Sequence, residues 1–420
     1  MVVLCLMRGN MKNTLKAHAK AIYEYAISEN MPNEAVKKAL VGKKFDGKVI
    51  LVSIGKAGWE MGKTAAEILG GNLDKGIVIT KYDHSKGEIE NVEIYEAGHP
   101  VVDFNGIAAT KRALELTSGL SEKDTVLFLV SGGGSALFES LDCPLEKMQD
   151  LTRALLHSGA TINEMNAIRK HVSSVKGGKL ARHVYPAQVY AIVLSDVVGN
   201  DLSTIASGPA TADDTTSGQC FEILEKYSIN VDDEIKSLIK NETPKEIHNA
   251  THTVSGSVTE LVQSAALASR RLGYEAVVLD DGVTSDASEI AEKIGALVEK
   301  HKGTKSPVAI LFGGEVTIKV KGDGKGGRNQ ELALMCAEKI KGNDNMAVFC
   351  VGSDGTDGPT DAAGGYVDGD TWEDIAKSGK SPKEYLENND SYNALKLTDG
   401  LIFTGPTGTN VNDLYVLLIA

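Results

Sequence analysis

The sequence predicts an α/β protein of two domains, each an open, mostly parallel sheet flanked by helices. Three observations predict it: a length of 420 residues, recurring short apolar runs rich in β-branched residues, and helical periodicity between those runs. Single cores usually stop growing at roughly 250–300 residues, so this length predicts two domains. The polar stretch 240–257 has the Pro, Asn and Thr content of a linker, which predicts domains 1–247 and 248–420.

The predicted strands follow one another along the whole chain and alternate with helix-like sequence. In order they are VILVSIG (49–55), GIVIT (76–80), VEIYEAG (92–98), TVLFLVSGGG (125–134), VYAIVLSD (189–196), EAVVLDDG (275–282), VAILFGGE (308–315), MAVFCVGSDG (346–355) and GLIFTGP (400–406). Continuously apolar strands between helices are typical of parallel sheets covered on both faces. The first group would build an N-terminal Rossmann-like domain, and the later group the C-terminal domain.

Composition narrows the class of partner. The net charge of −13 argues against nucleic acid or an anionic membrane, because binding phosphate backbones requires a basic face. An anionic ligand would need local basic residues that overcome this acidic background. The five cysteines form no C-x-x-C pair, which fits a reducing cytoplasm. The apolar opening before Arg8 is only about seven residues long, so we expect no signal peptide, with Met11 as an alternative start.

Glycine-rich or aspartate-rich sequence follows nearly every predicted strand. Examples are GKAGWEMG, SGGGSAL, SDVVGND, GGE, GSDGTDG and GPTGTN. Open α/β sheets bind ligands outside the carboxyl ends of their strands. These loops are therefore expected to converge on one crevice between the domains.

Two of these loops combine bare amides with basic side chains. In SGGGSAL, the backbone amides of Gly132, Gly133, Gly134 and Ser135 could cradle phosphate oxygens at a helix start. Leu137 replaces the glycine that a nucleophile elbow requires, so a serine hydrolase is disfavoured. Lys56, in GKAGWEMG, follows a strand closely enough to reach an anion, although this loop is not a Walker A motif.

Other polar residues are candidates whose ordinary explanation is a turn or a solvated surface. Lys176 precedes a glycine pair and a helix start, as a ligand-binding lysine or a solvated helix terminus would. Sparse aspartates after strands suit Mg²⁺, which takes one or two carboxylates beside substrate phosphates. The candidates are Asp196, Asp201, Asp354, Asp357 and Asp361, with His99 and Asp103 near the same rim. His248 and His252 lie in the predicted linker and are expected to be exposed.

The loop KGDGKGG presents a rival, because Gly322, Gly324 and Gly327 match the G-x-G-x-x-G dinucleotide fingerprint. The preceding strand carries Lys319 and Lys321 at alternating positions, whereas a Rossmann first strand is buried and apolar. The acidic residue expected about 20 positions further on, at the end of a second strand, is also missing. A nicotinamide-dependent dehydrogenase therefore remains only an alternative, as does a non-catalytic phosphosugar-binding regulator.

Taken together, several strings resemble the class II glycerate kinases, the glycerate 2-kinase or MOFRL family. They include GKAGWEMG, AGHPVVD, SGGGSAL, KGGKLA, SDVVGNDLSTIASGP, GGRNQELAL, GSDGTDGPTDAAGG and GPTGTNVNDL, and they span residues 12 to 418. The resemblance implies ATP-dependent phosphorylation of D-glycerate, commonly at the 2-hydroxyl, with Mg²⁺ and a cleft between two α/β domains. Lys56 and Arg328 match family positions in that cleft. Val102 departs from the family, which often has proline there.

Phosphoryl transfer then assigns roles by chemistry. Arg328 would bind the glycerate carboxylate or the γ-phosphate, with Lys56 sharing that charge. Asp196 is the candidate base and Glu315 its rival. The remaining assignments are nucleotide contacts by the SGGGS amides, Lys176 and Asn410, Mg²⁺ ligands Asp354 and Asp357, and Asp413 beside the substrate.

The expected partners are D-glycerate and ATP, without nucleic acid or membrane, and a homodimer is the assembly considered. Alanine in place of Lys56 or Arg328 is expected to abolish most turnover while leaving the thermal transition unchanged.

Overall fold

The computed structural model describes residues 2–304 and 306–420, with side chains from residue 11 onward. The described chain divides into two compact units. Pro32–Ser255 forms what we call the Rossmann-like unit, and Met1–Met31 with Gly256–Ala420 forms the mixed-sheet unit. The first residues therefore belong with the C-terminal part, and the units differ from the predicted ranges 1–247 and 248–420.

The elements alternate along the chain as an α/β sequence should. The helices are α1 (Val2–Glu29), α2 (Pro32–Leu40), α3 (Gly58–Leu69), α4 (Phe104–Leu116), α5 (Gly134–Leu137), α6 (Leu145–Ser158), α7 (Ile162–Val172), α8 (Lys179–Val184), α9 (Ser217–Lys226), α10 (Asp233–Lys240), α11 (Val258–Arg271), α12 (Ala287–Lys300), α13 (Arg328–Ile340), α14 (Thr371–Ala376), α15 (Pro382–Glu387) and α16 (Ser391–Lys396). The strands are β1 (Val49–Ile54), β2 (Leu73–Lys81), β3 (Val92–Ala97), β4 (Thr125–Val130), β5 (Gln188–Val193), β6 (Ala250–Val254), β7 (Glu275–Val283), β8 (Val308–Gly314), β9 (Met346–Gly352), β10 (Gly364–Asp368), β11 (Leu401–Ile402) and β12 (Asp413–Ile419). Short 3₁₀ turns occupy Gly70–Asn72 and Ile205–Ser207.

The Rossmann-like unit contains a parallel sheet in the order β3-β2-β1-β4-β5-β6. The order of the strands reverses between β1 and β4, the point at which doubly wound sheets bind ligands. Both strands are buried along their whole length, as strands covered on both faces must be. Their carboxyl ends bring the loops that follow them to the same edge of the sheet.

A layer of helices in this unit has its own apolar core, formed largely by α6, α7, α9 and α10. The start of α7 is fixed by a capping box in which Thr161 and Glu164 satisfy each other's backbone amides. Such caps typically contribute about 1 kcal/mol. The helix therefore begins at a defined residue, and its side chains hold a defined register.

The mixed-sheet unit contains a second sheet in the order β11-β10-β9-β12-β8-β7. Among neighbours, only β7 and β8 pair in parallel; the other described pairs are antiparallel. The α/β class with two helix-flanked sheets is confirmed. Four of the six strands, β7, β8, β9 and β11, nevertheless point the same way, so the expectation of mostly parallel strands is also confirmed.

Three strands are absent from the predicted set. β6 lies inside the predicted linker and pairs in parallel with β5. The sequence did not predict it, because a polar edge strand lacks the apolar run that identifies a buried strand. His252, expected to be exposed, is half-buried on this strand, and burial lowers its pKa. The others are β10 and β12, and β12 is buried throughout at the centre of its sheet. In the described part of the chain, no helix is long and apolar enough to cross a membrane.

Candidate active site

The loops after β1 and β4 are joined by hydrogen bonds at the carboxyl edge of the Rossmann-like sheet. The Lys56 amide donates to the Gly132 carbonyl at 2.9 Å, and the Ala57 amide donates to Ser131 Oγ at 3.1 Å. A Cβ on Gly55 would lie 2.3 Å from Ser131 Oγ, so this approach requires glycine. The exposed side chain of Lys56 is thereby set beside the SGGGS loop.

Two further polar side chains pack against the same glycines. A Cβ on Gly132 would lie 2.5 Å from Asp196 Oδ2, and a Cβ on Gly133 would lie 2.9 Å from the ring of His99. The structure therefore brings Lys56, Asp196 and His99 around the loop. Burial lowers the pKa of His99, and the charge of Lys56 lowers it further, which favours a neutral imidazole near pH 7.

The second half of the SGGGS loop differs from the amide cradle that the sequence predicts. The Gly134 amide turns back to the Ser131 carbonyl at 3.3 Å, and α5 has only four residues. Such a short helix adds little dipole field. Ser135 Oγ lies 3.0 Å from Ser207 Oγ, so its hydroxyl faces another loop. Gly132 and Gly133 remain the candidate amide donors.

Lys176 does not reach this edge, and its prediction as a nucleotide contact needs correction. Its side chain is fully buried, with the ammonium 2.8 Å from Glu139 Oε2 and donating to the Phe138 carbonyl at 2.9 Å. Burial lowers the pKa of Lys176 to about 8, against the effect of Glu139. The lysine is a structural ion-pair partner beneath the loop, because its donors already point at protein acceptors.

The mixed-sheet unit builds a second polar site where β8 ends and β12 begins. Arg328, the first residue of α13, donates from Nε to Asp413 Oδ2 at 2.6 Å and from its terminal nitrogen to Oδ1 at 3.2 Å. Another guanidinium nitrogen donates to Glu315 Oε1 at 2.5 Å. Gly314, which precedes Glu315, has a φ of 148°, and a Cβ on it would collide with the Val283 carbonyl. The structure thus brings Arg328, Asp413 and Glu315 together, and their side chains bind one another.

Burial separates the two carboxylates of this site. The side chain of Asp413 is 3% exposed, whereas that of Glu315 is 46% exposed. Burial raises the pKa of Asp413 to about 6, while Arg328 acts to lower it. Burial works against the charge of Arg328, but Asp413 and Glu315 hold its pKa above the ordinary value. Asp413 is therefore the buried anchor of the arginine and Glu315 its half-exposed partner.

Asp357, predicted as a Mg²⁺ ligand, binds the start of α13 instead. It is 3% exposed, and its two oxygens accept the backbone amides of Asn329 and Gln330 at 3.1 and 2.9 Å and the Gln330 side chain at 2.8 Å. A carboxylate in this position satisfies the unpaired amides at a helix start. Both oxygens are committed to α13, so the predicted role needs correction.

The glycines of KGDGKGG serve close packing. A Cβ on Gly322 or Gly324 would lie 2.4 Å from atoms of Asn388, and a Cβ on Gly327 would lie 2.3 Å from Asp357. The loop runs against the segment 388–391, and its glycines allow that approach. The dinucleotide interpretation was disfavoured by the sequence, and these contacts give the glycines a packing function.

Asp354 and Asn410 lie in loops at the same edge of the mixed sheet. Asp354 Oδ1 accepts the Thr356 amide at 3.0 Å, and Asn410 Oδ1 accepts the Asn412 amide at 3.3 Å. Among the residues described, no group of three or more His, Cys, Asp or Glu could hold a metal ion. Because both oxygens of Asp357 bind α13, only Asp354 of the predicted pair stays a predicted Mg²⁺ ligand.

Fold and site together define a class: a two-unit α/β protein with a lysine beside a glycine loop in one unit and an anchored arginine in the other. Known family models cover most of the chain. The model described as a domain of unknown function, DUF4147, matches residues 18–240, and the MOFRL family model matches residues 308–413. The chain belongs to the class II glycerate kinase family.

Individual relatives agree over nearly the full length. A protein of Thermotoga maritima named D-glycerate 2-kinase is 48% identical, covering 97% of this chain and 99% of the relative. A crystal structure of a glycerate kinase from the same organism is 47% identical with a TM-score of 0.94, covering 97% of this chain and all of the other. A protein of Agrobacterium vitis, provisionally named hydroxypyruvate reductase, is 37% identical over 95% of this chain and 93% of its own.

Proposed function

We propose that this protein transfers the γ-phosphoryl group of ATP to the 2-hydroxyl of D-glycerate, giving 2-phosphoglycerate and ADP. The observation that carries the proposal is Arg328, oriented by the buried Asp413 at a sheet edge in a chain of this family. The name of the Thermotoga relative supports the substrate and the position of transfer. Mg²⁺ enters with ATP as the metal–nucleotide substrate, so it needs no protein cage.

The nitrogens of the Arg328 guanidinium have different partners. Asp413 accepts two hydrogen bonds from Arg328, one from Nε and one from a terminal nitrogen, in a bidentate arrangement. The other terminal nitrogen, which donates to Glu315, is left for a ligand. Because Glu315 is half-exposed, an incoming carboxylate or phosphoryl oxygen replaces it at modest cost. Asp413 then acts as a positioning residue, and Arg328 contacts the substrate.

The Rossmann-like unit contributes the phosphate side of the reaction. Lys56 neutralises charge on the transferred group, and the amides of Gly132 and Gly133 bind nucleotide oxygens. As the 2-hydroxyl oxygen bonds to the γ-phosphorus, the bond to the bridging oxygen of ADP breaks and the hydroxyl proton leaves. Asp196 is the proposed acceptor of that proton, and the neutral His99 beside the same loop is its rival.

The decisive experiment measures ADP release from D-glycerate and Mg-ATP. Coupling the product to enolase alone reports 2-phosphoglycerate, and adding phosphoglycerate mutase also reports 3-phosphoglycerate. We expect the signal with enolase alone. A signal that needs the mutase would move the transfer to the 3-hydroxyl, and no ADP at millimolar glycerate would contradict the kinase proposal and leave an anion-binding regulator.

A reductase is the second candidate, because the Agrobacterium relative carries that provisional name. The same preparation should be assayed for oxidation of NADH and NADPH with hydroxypyruvate. We expect no turnover, since the KGDGKGG glycines are committed to packing. The cytoplasm as the location and a homodimer as the assembly stay predictions.

A further inference from the structure

Arg169 is a cation at the SGGGS loop to which no role has been given. It lies on α7 and is half-buried. One terminal nitrogen donates to the Ser135 carbonyl at 3.2 Å. Its Nε is buried and, in the part of the chain that the structure describes, has no hydrogen-bond partner. A buried guanidinium donor without an acceptor lowers the stability of the fold. A bound ligand that accepts a hydrogen bond from Nε would remove this cost.

The two carboxylates buried behind this loop pair with lysines rather than with Arg169. Lys170 and Lys176 are buried and each pairs with one buried carboxylate, Asp213 and Glu139 respectively. Lys179 is also buried, and its ammonium donates to the backbone carbonyls of His171 and Ser173. The charges within the two buried pairs thus cancel, while Lys179 and Arg169 add positive charge. The charge of Arg169 helps to lower the pKa of Lys176.

A turn in an unusual backbone conformation lies beside Ser135 of the SGGGS loop. Ala206, Ser207 and Gly208 have φ values of 50°, 59° and 62°. For a residue with a Cβ this left-handed region costs roughly 1–2 kcal/mol each. The turn is held by the Gly177 amide on the Ser207 carbonyl at 3.0 Å and the Gly178 amide on the Gly208 carbonyl at 2.8 Å. It places the Ser207 hydroxyl 3.0 Å from that of Ser135.

We propose that Arg169, with the hydroxyls of Ser135 and Ser207, forms an oxyanion subsite for a group of the substrates that is not transferred. This rests on the proposed kinase function. An oxyanion supplies the acceptors that the guanidinium lacks, and one hydroxyl of the serine pair keeps a proton to donate. Local positive charge offsets the net charge of −13. Two sources carry this chemistry: a phosphate of ADP or ATP, and the carboxylate of D-glycerate.

The test measures binding directly, by calorimetric titration of ADP and, separately, of D-glycerate. Arg169→Met should weaken the Kd of one ligand about tenfold to hundredfold, as expected for a lost charged hydrogen bond, and leave the other within about twofold. The affected ligand identifies the source of the oxyanion. The control is Arg153→Met, an exposed arginine on α6 whose loss should change neither Kd.

Ser207→Gly keeps the proposal testable if Arg169→Met folds poorly. Glycine relieves the left-handed backbone, so the melting temperature should rise while the Kd of the same ligand weakens. A merely structural serine would not give opposite shifts. Unchanged Kd values for both ligands in both variants would overturn the subsite while wild-type turnover stands. If the two variants bind the ligand more weakly but the wild type makes no ADP from glycerate, the kinase proposal alone would be overturned.

Discussion

Arg328 and Arg169 are both half-buried arginines beside a loop, yet they differ in what balances their charge. Arg328 is bound by two carboxylates, one of them buried. Arg169 donates to a backbone carbonyl and keeps a buried Nε without a hydrogen-bond partner in the described chain. The comparison separates two ways to prepare a cation for an anionic substrate. One is oriented in advance by an acid, and the other is completed by the ligand.

Removing the compensated arginine should have the largest effect. Arg328→Met deletes the substrate contact and strands the buried Asp413, so we expect kcat/KM to fall about 1,000-fold or more and stability by about 2–4 kcal/mol. This expected stability loss differs from the sequence-based expectation of an unchanged thermal transition, because the structure shows that the partner carboxylate, Asp413, is buried. Steady-state kinetics and urea unfolding measure both. Arg328→Lys is the matched control, keeping the charge without the two-pronged geometry; wild-type stability in Arg328→Met would contradict the anchoring role of Asp413.

Lys176 extends the comparison to a cation that is fully balanced. Lys176→Met leaves Glu139 buried without its partner, and we expect a loss of about 3–5 kcal/mol in the free energy of unfolding. The double variant Lys176→Met, Glu139→Leu should recover most of that loss. A specific rise in the KM for ATP in Lys176→Met at unchanged stability would restore the lysine as a nucleotide contact.

Lys56 is the exposed counterpart, so its effect should fall on activity alone. Lys56→Ala should lower kcat/KM about 100-fold and change the free energy of unfolding by less than about 0.5 kcal/mol. Lys63→Ala, an exposed lysine on α3, is the matched control and should alter neither quantity. Equal rates for the two alanine variants would remove Lys56 from the site.

The smallest effect concerns the anchor itself. Because the folded pKa of Asp413, about 6, lies above its unfolded value, protonation favours the folded state. This contribution is fully present below about pH 4 and is lost as the pH rises through about 6. Relative to Asp413→Asn, the wild type should therefore lose about 1–3 kcal/mol over this window. Urea unfolding at several pH values measures the difference; parallel curves would contradict the shifted pKa.

The sequence was sufficient wherever the chemistry lay in a continuous string. The buried strands β1, β4 and β8 follow from their apolar runs, and the motif around Arg328 carries the family resemblance. It was insufficient where a role depends on distant contacts. Asp357 looks like any loop aspartate until α13, more than 25 residues earlier, is seen to donate to it. Arg169 sits inside an ordinary amphipathic helix, and no local signal distinguishes it from a surface arginine.

The position of β12 also bears on how the polypeptide forms. The Rossmann-like unit is one continuous stretch and can acquire its structure while later residues are still being synthesised. The mixed sheet cannot be completed at that stage, because β12 is the last strand in chain order and separates β8 from β9. Until the ribosome has delivered it, those two strands expose apolar edges. Translation arrest after β9 and before β12 should therefore leave a folded Rossmann-like unit attached to an aggregation-prone remainder.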